Sequence, residues 1–176
     1  MQKVKPVFLY ALLFFVLTSL SPSPKNEHVK WMSINDVQSN LHQEKKPVLI
    51  DLYTDWCGWC KVMDKKTYSN KNVADYLESK FYATRVNAET REKIKWNDKI
   101  YDFNSAYRAN DFAFYITKGQ LQFPTTIIIP ADGSEPQAIA GYLETKDFEL
   151  ILKYFGDGNN NKIPFEDYQK NFKNSW

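Results

Sequence analysis

The chain's only two cysteines, Cys57 and Cys60, stand three positions apart in the stretch Trp56-Cys57-Gly58-Trp59-Cys60-Lys61. That spacing serves two chemistries: half of a zinc site, or a dithiol pair that forms and breaks a disulfide. A zinc site needs two further ligands, and the only histidines, His28 and His42, are isolated near the N-terminus. No metal is therefore assigned. Upstream, Val48-Leu49-Ile50-Asp51-Leu52-Tyr53 is a continuous apolar run with one carboxylate, the pattern of a strand buried on both faces. Downstream, Lys61 to Tyr68 contains neither Gly nor Pro and reads as helix. Cys57 then falls where a strand hands over to a helix N-terminus. Unpaired backbone N–H groups and the helix dipole favour a thiolate there, exposed and ready to attack. Cys60, about one helical turn on, is within reach of it as the resolving thiol.

The elements that must position this pair follow from the rest of the chain. With 176 residues, 43% hydrophobic and 16% aromatic, there is material for one well-filled core plus appendages. Lys3 and Lys5, the apolar run from Val7 to Leu20 and Ser21-Pro22-Ser23-Pro24 have the layout of a secretory signal. The run is shorter than the roughly 20 residues of a spanning helix, but a proline after each candidate cleavage serine disfavours processing. Residues 1–23 are accordingly read as a signal peptide or a retained N-terminal anchor. No cysteine follows the apolar run, which argues against a lipoprotein. Without Lys3 and Lys5 the formal charge of +2 falls to zero, so charge points to no nucleic-acid or anionic-membrane partner. Export would favour structural disulfides, yet the small loop between Cys57 and Cys60 constrains the unfolded chain little. A redox role is the better reading.

After a polar linker over residues 24–30, Val29 to Met32 reads as a short first strand. Ser33 is placed to cap a helix whose apolar face is Ile34, Val37 and Leu41, ending by Lys46 before Pro47. A helix from about Asn72 presents Val73, Tyr76 and Leu77 inward, and Phe81 to Val86 is the next strand. Ile100, Phe103 and Tyr107 fall on one helical face, and a short helix begins at Asn110 or Asp111 and stops at Gly119. Its aromatics, Phe112, Phe114 and Tyr115, suit either a core or a partner groove. Phe123-Pro124-Thr125-Thr126 leads into the strand Ile127 to Ile129, and Pro130-Ala131-Asp132-Gly133 turns it into a hairpin with Gln137 to Gly141. Thr145 is expected to cap a helix carrying Phe148, Ile151, Leu152 and Phe155. A loop over Gly156 to Asn161 and a last helix from Pro164, striped by Phe165, Tyr168 and Phe172, complete the chain.

Asp51, Trp56, Cys57, Gly58, Cys60 and Lys61 stand in the order and spacing of the thioredoxin active site, and the chain resembles the thioredoxin-like family over about residues 31–155. The resemblance implies an α/β thioredoxin fold, a mixed central sheet with helices on both faces. To it are added an insertion over about 91–122 and a C-terminal loop and helix over 156–176. It also implies roles. Asp51 would be the buried acid below the cysteines, desolvated, with a raised pKa, and able to take a proton from Cys60 through a water. A Lys or a hydroxyl beside it would be compatible with that role. Trp56 matches the family tryptophan that shields the site. Pro124 matches the cis-proline that packs on the disulfide, aiming the Phe123 backbone at a bound substrate chain. Gly58 and Trp59 complete the substrate-facing set, and Trp59 stands where thioredoxin has proline.

The function expected is an exported thiol-disulfide oxidoreductase, periplasmic or secreted, reducing protein disulfides and acting as a monomer. It would take electrons from a membrane donor and need no cofactor, because the redox chemistry resides in the cysteines. A thioredoxin-fold binding or chaperone-like module with a merely structural disulfide is the alternative.

Overall fold

The computed structural model describes residues 28–176; the leader or anchor expected over 1–23, and the linker as far as residue 27, lie outside the described residues. Ser33 caps α1 (Ile34–Leu41), its hydroxyl accepting the Asp36 N–H at 3.1 Å. β1 (Val48–Tyr53) is buried at every position but the last. It runs parallel to β2 (Tyr82–Asn87) and antiparallel to β7 (Thr125–Ile129), and β7 pairs antiparallel with β8 (Gln137–Ala140). The resulting order is β2-β1-β7-β8, a mixed sheet with β1 at its centre.

Alternation along β1 and β7 sends side chains to two cores. On one face Leu49 and Ile128 meet α2 (Gly58–Met63), α3 (Lys71–Lys80) and α5 (Thr145–Gly156) through Met63, Leu77, Phe148 and Leu152. On the other, Ile50, Leu52 and Ile127 meet α1 and α4 (Asp111–Ile116) through Val37, Phe112 and Ile116. This is the thioredoxin fold, with helices on both sheet faces as its resemblance implied.

Several local expectations need correction. The active-site helix is α2 followed by a π-helical turn, Asp64–Tyr68, in which the Ser69 N–H reaches back to the Asp64 carbonyl at 3.1 Å. Val29 to Met32 makes no strand, only a single parallel bridge from Met32 to Thr84. Ile100, Phe103 and Tyr107 share no helix. The insertion opens with the hairpin β3 (Ile94–Trp96) and β4 (Lys99–Tyr101), then the hairpin β5 (Phe103–Asn104) and β6 (Ala109–Asn110). Asn97 and Asp98 both have positive φ, 47° and 60°. That is the geometry of a two-residue hairpin turn, and it selects strands over the helix that the apolar spacing suggested. Of the aromatics of α4, Phe112 is core, whereas Phe114 and Tyr115 are exposed. Glu144, not Thr145, is the N-cap of α5, without a side-chain cap bond.

The end of α5 is closed rather than loose. Gly156 belongs to the helix, where a Cβ would come within 2.9 Å of the Phe81 and Tyr76 rings and would push them aside. The aromatic stripe of α6 (Phe165–Asn171) covers α5, with the Phe165 and Tyr168 rings 5.1 and 5.3 Å from Tyr154. Beyond it, Asn174, Ser175 and Trp176 return to the buried carboxylate of Glu149 on α5. Its oxygens accept bonds from Asn174 Nδ2, the Ser175 N–H and hydroxyl, the Trp176 N–H and Lys153 Nζ, all between 2.7 and 3.2 Å.

Candidate active site

From the end of β1 the chain turns so that the Cys57 N–H donates to the Thr54 carbonyl at 3.1 Å. Cys57 is extended and is the N-cap of α2; its Sγ accepts the Cys60 N–H at 3.0 Å. A backbone donor thus points at the sulfur that a thiolate would occupy, which favours negative charge there. Cys57 and Cys60 are joined in a disulfide, their Cα atoms 5.3 Å apart. Contrary to the expectation of an exposed attacking sulfur, the two cysteines are only 4% and 3% exposed in this state, while Trp56 and Trp59 are 66% and 62% exposed. What the site presents to solvent is a pair of indoles.

Each indole is held on a different side. Trp56 donates its Nε1–H to Glu89 at 3.0 Å and meets the Phe123 ring edge-on at 5.9 Å. Trp59 lies against Tyr142, ring centroids 5.6 Å apart. The Phe123–Pro124 peptide is cis and Pro124 is buried at the start of β7. Gly58 is exposed, with open space where a Cβ would stand. Beside Trp56 and Phe123, a cavity of about 290 Å³ is completed by Tyr107, Arg108 and Leu121 from the insertion. The structure brings Trp56 and Phe123 together; Trp59 instead faces Tyr142, a residue the sequence did not single out.

Asp51 lies on β1, 1% exposed. Arg85, its register partner on the parallel strand β2, donates Nε–H to Asp51 Oδ2 at 2.9 Å and Nη2–H to Asp64 at 3.0 Å. The guanidinium lies between the Tyr53 and Trp31 rings, at 4.6 and 5.2 Å from their centroids. Burial is the dominant influence on Asp51 and pushes its carboxyl up to about 6, against the pull of Arg85 and with a further push from Asp64. The sequence allowed for a Lys or hydroxyl beside this acid; the ion-pair partner is Arg85. Its signal was present as a lone cation on the otherwise apolar Phe81, Ala83, Arg85 face of that strand. Asp64 and Tyr68, which act on Asp51, and Thr126, its register partner on β7, carried no such signal. Asp51 Oδ1 and the hydroxyls of Tyr68 and Thr126 are buried without a hydrogen-bond partner among the described residues.

The fold, the disulfide at a helix N-terminus and the cis-proline strand define a protein of the thioredoxin class with a Cys-X-X-Cys centre. The family model of the thioredoxin-like domain matches residues 34–156, and the chain belongs to that family. Among curated proteins it is 29% identical over 132 residues to the thiol:disulfide interchange protein DsbD of Escherichia coli K12, covering 72% of this chain and 20% of that protein. The DsbD of Pectobacterium atrosepticum is 26% identical over 125 residues, with coverage of 70% and 19%. The chain therefore spans about a fifth of the length of these relatives. Among solved structures, a thioredoxin-fold protein from Helicobacter pylori superposes with a TM-score of 0.53 at 20% identity, covering 72% of this chain and 79% of that one. A thioredoxin from Thermus thermophilus gives 0.53 at 14% identity, with 78% and 98% covered. These structures share the fold.

Proposed function

We propose that the protein is an exported thiol-disulfide oxidoreductase that reduces disulfides of secreted or periplasmic proteins. The observation that carries this reading is the Cys57 sulfur at the N-cap of α2, accepting the Cys60 N–H. In the dithiol form the Cys57 thiolate attacks one sulfur of a substrate disulfide. A Cys57–substrate bond forms as the substrate S–S bond breaks, and the first substrate sulfur leaves as a thiolate that takes a proton from solvent. Cys60 then gives its proton to Asp51 and attacks Cys57 Sγ, releasing the second substrate sulfur. Two electrons have passed to the substrate, and the Cys57–Cys60 disulfide remains. A dithiol donor, in this reading a membrane reductase, must return the electrons.

Trp56, Gly58, Trp59, Phe123 and Pro124 form the substrate face. An extended substrate chain pairs with the backbone at Phe123 while the exposed indoles cover its cysteine. Trp59 places no cation between the cysteines to stabilise the thiolate, which favours reduction over oxidation. The apolar N-terminal run supports export, and the printed name of the DsbD relatives, thiol:disulfide interchange, supports the reaction class.

Insulin reduction with Cys57→Ser and Cys60→Ser tests the chemistry. The first abolishes turnover and the second accumulates mixed disulfides; full activity in the double variant would rule the enzyme out and favour a binding module. Equilibration in dithiothreitol buffers tests direction. A potential near or below about −270 mV fits a reductase, and one near about −120 mV would make the protein an oxidant.

A further inference from the structure

Asp51 presents two unlike oxygens. Oδ2 is taken by Arg85 at 2.9 Å, while Oδ1 is buried and without a partner among the described residues. Thr126 is the register partner of Asp51 across the antiparallel β1–β7 pair, so both side chains lie on the same sheet face. Tyr68, in the π-helical turn, reaches that face with its ring fixed edge-on by Trp31 at 4.9 Å and Phe148 at 5.6 Å. Its hydroxyl is close enough that its dipole draws the Asp51 carboxyl down, and the Thr126 hydroxyl in turn draws the Tyr68 phenol down. Three buried polar atoms that lack other partners therefore meet at one place, in a fold where such atoms are normally satisfied.

We propose that the hydroxyls of Tyr68 and Thr126 are positioning groups for Asp51 Oδ1, giving it hydrogen bonds when it is ionised and accepting one when it carries the proton, directly or through one water. The proposal rests on the reading that Asp51 accepts the Cys60 proton. Arg85 only donates, so it cannot accept from the carboxyl O–H when the acid is neutral; a hydroxyl rotates and serves both forms. A group that must gain and lose a proton in each cycle, out of contact with solvent, needs partners of the second kind. Burial keeps the Tyr68 phenol protonated, well above its ordinary range, so it remains a donor throughout. The charged and titratable groups acting on Asp51 are Arg85 from β2 and Asp64 and Tyr68 from the turn after α2. The contribution of β7, Thr126, does not titrate.

The test is the carboxyl titration of Asp51 by carbon NMR in the reduced full chain, its resonance identified by loss in Asp51→Asn. The variants are Tyr68→Phe, which keeps the ring and its packing, Thr126→Val and Thr126→Ser. Tyr68→Phe and Thr126→Val are expected to raise the midpoint by about one pH unit, and Thr126→Ser to leave it in place. The pH profile of mixed-disulfide resolution should move with it. Unmoved midpoints in both of the first two variants overturn the proposal, and movement in one alone overturns the pairing of the two hydroxyls. If Asp51→Asn instead resolves mixed disulfides with an unchanged pH profile, Asp51 is not the proton acceptor. The NMR midpoints would still decide what the hydroxyls do.

Discussion

Among the described residues, two carboxylates are completely buried, and they are treated in opposite ways. Glu149, on α5, receives five donor groups; they hold it down at about 2 although burial alone would raise it. Asp51, on β1, has one charged partner on one oxygen and is pushed up to about 6. Neither side chain is exposed to water, but Asp51 lies deeper, so burial raises it more, and fewer donors offset that push. A carboxylate saturated with donors is a fixed structural charge; one left half-satisfied titrates near neutrality and is free to exchange a proton.

Breaking the saturated site should have the largest effect. Glu149→Ala strands Lys153 and the donors of Ser175 and Trp176 around a cavity, and should cost about 3 kcal/mol in urea unfolding without moving the redox pH profile. The same site carries an acid signature. Its folded pKa lies below the ordinary glutamate value of 4.5, so its stabilisation is present above that pH and is lost as pH falls towards about 2. Between pH 5 and pH 2.5 the urea midpoint of the wild type should fall more steeply than that of Glu149→Gln.

The half-satisfied site should show the reverse sign. Asp51 has its pKa raised from 3.8 to about 6, so its favourable contribution is complete below about pH 4 and is lost as pH rises through 6. Asp51→Asn is therefore expected to stabilise the protein by about 2 kcal/mol at pH 8, measured by thermal or urea unfolding, while slowing resolution of mixed disulfides. The smallest effect sharpens the contrast without breaking it. Asp64 is partly exposed and pushes Asp51 upward while sharing Arg85 with it. Asp64→Asn should lower the Asp51 midpoint by about half a unit, read from the same carboxyl titration.

These two sites also mark the limit of what the sequence discloses. Cys57, Cys60, β1, the Ser33 cap and the Pro124 strand were legible because each is a local pattern: a spacing, an apolar run, a cap residue, a proline before Thr-Thr-Ile-Ile-Ile. The hairpins of the insertion were misread. Ile100, Phe103 and Tyr107 happen to share helical spacing, and the decisive feature, positive φ at Asn97 and Asp98, is a backbone property carried by two ordinary polar residues. The surroundings of Asp51 were half legible. Asp51 could be placed, but Arg85 is 34 positions away and becomes its partner only once β1 and β2 pair in register. Glu149 reads as a surface residue of an amphipathic helix until the segment 25 to 27 positions later returns to it.

That return has a consequence for where the chain can be cut. The similarity to the family ends at residue 156. Without Asn174, Ser175 and Trp176, Glu149 keeps Lys153 alone as a donor. A fragment trimmed to the family boundary would therefore retain α5 but lose four of the five donor groups that hold its carboxylate.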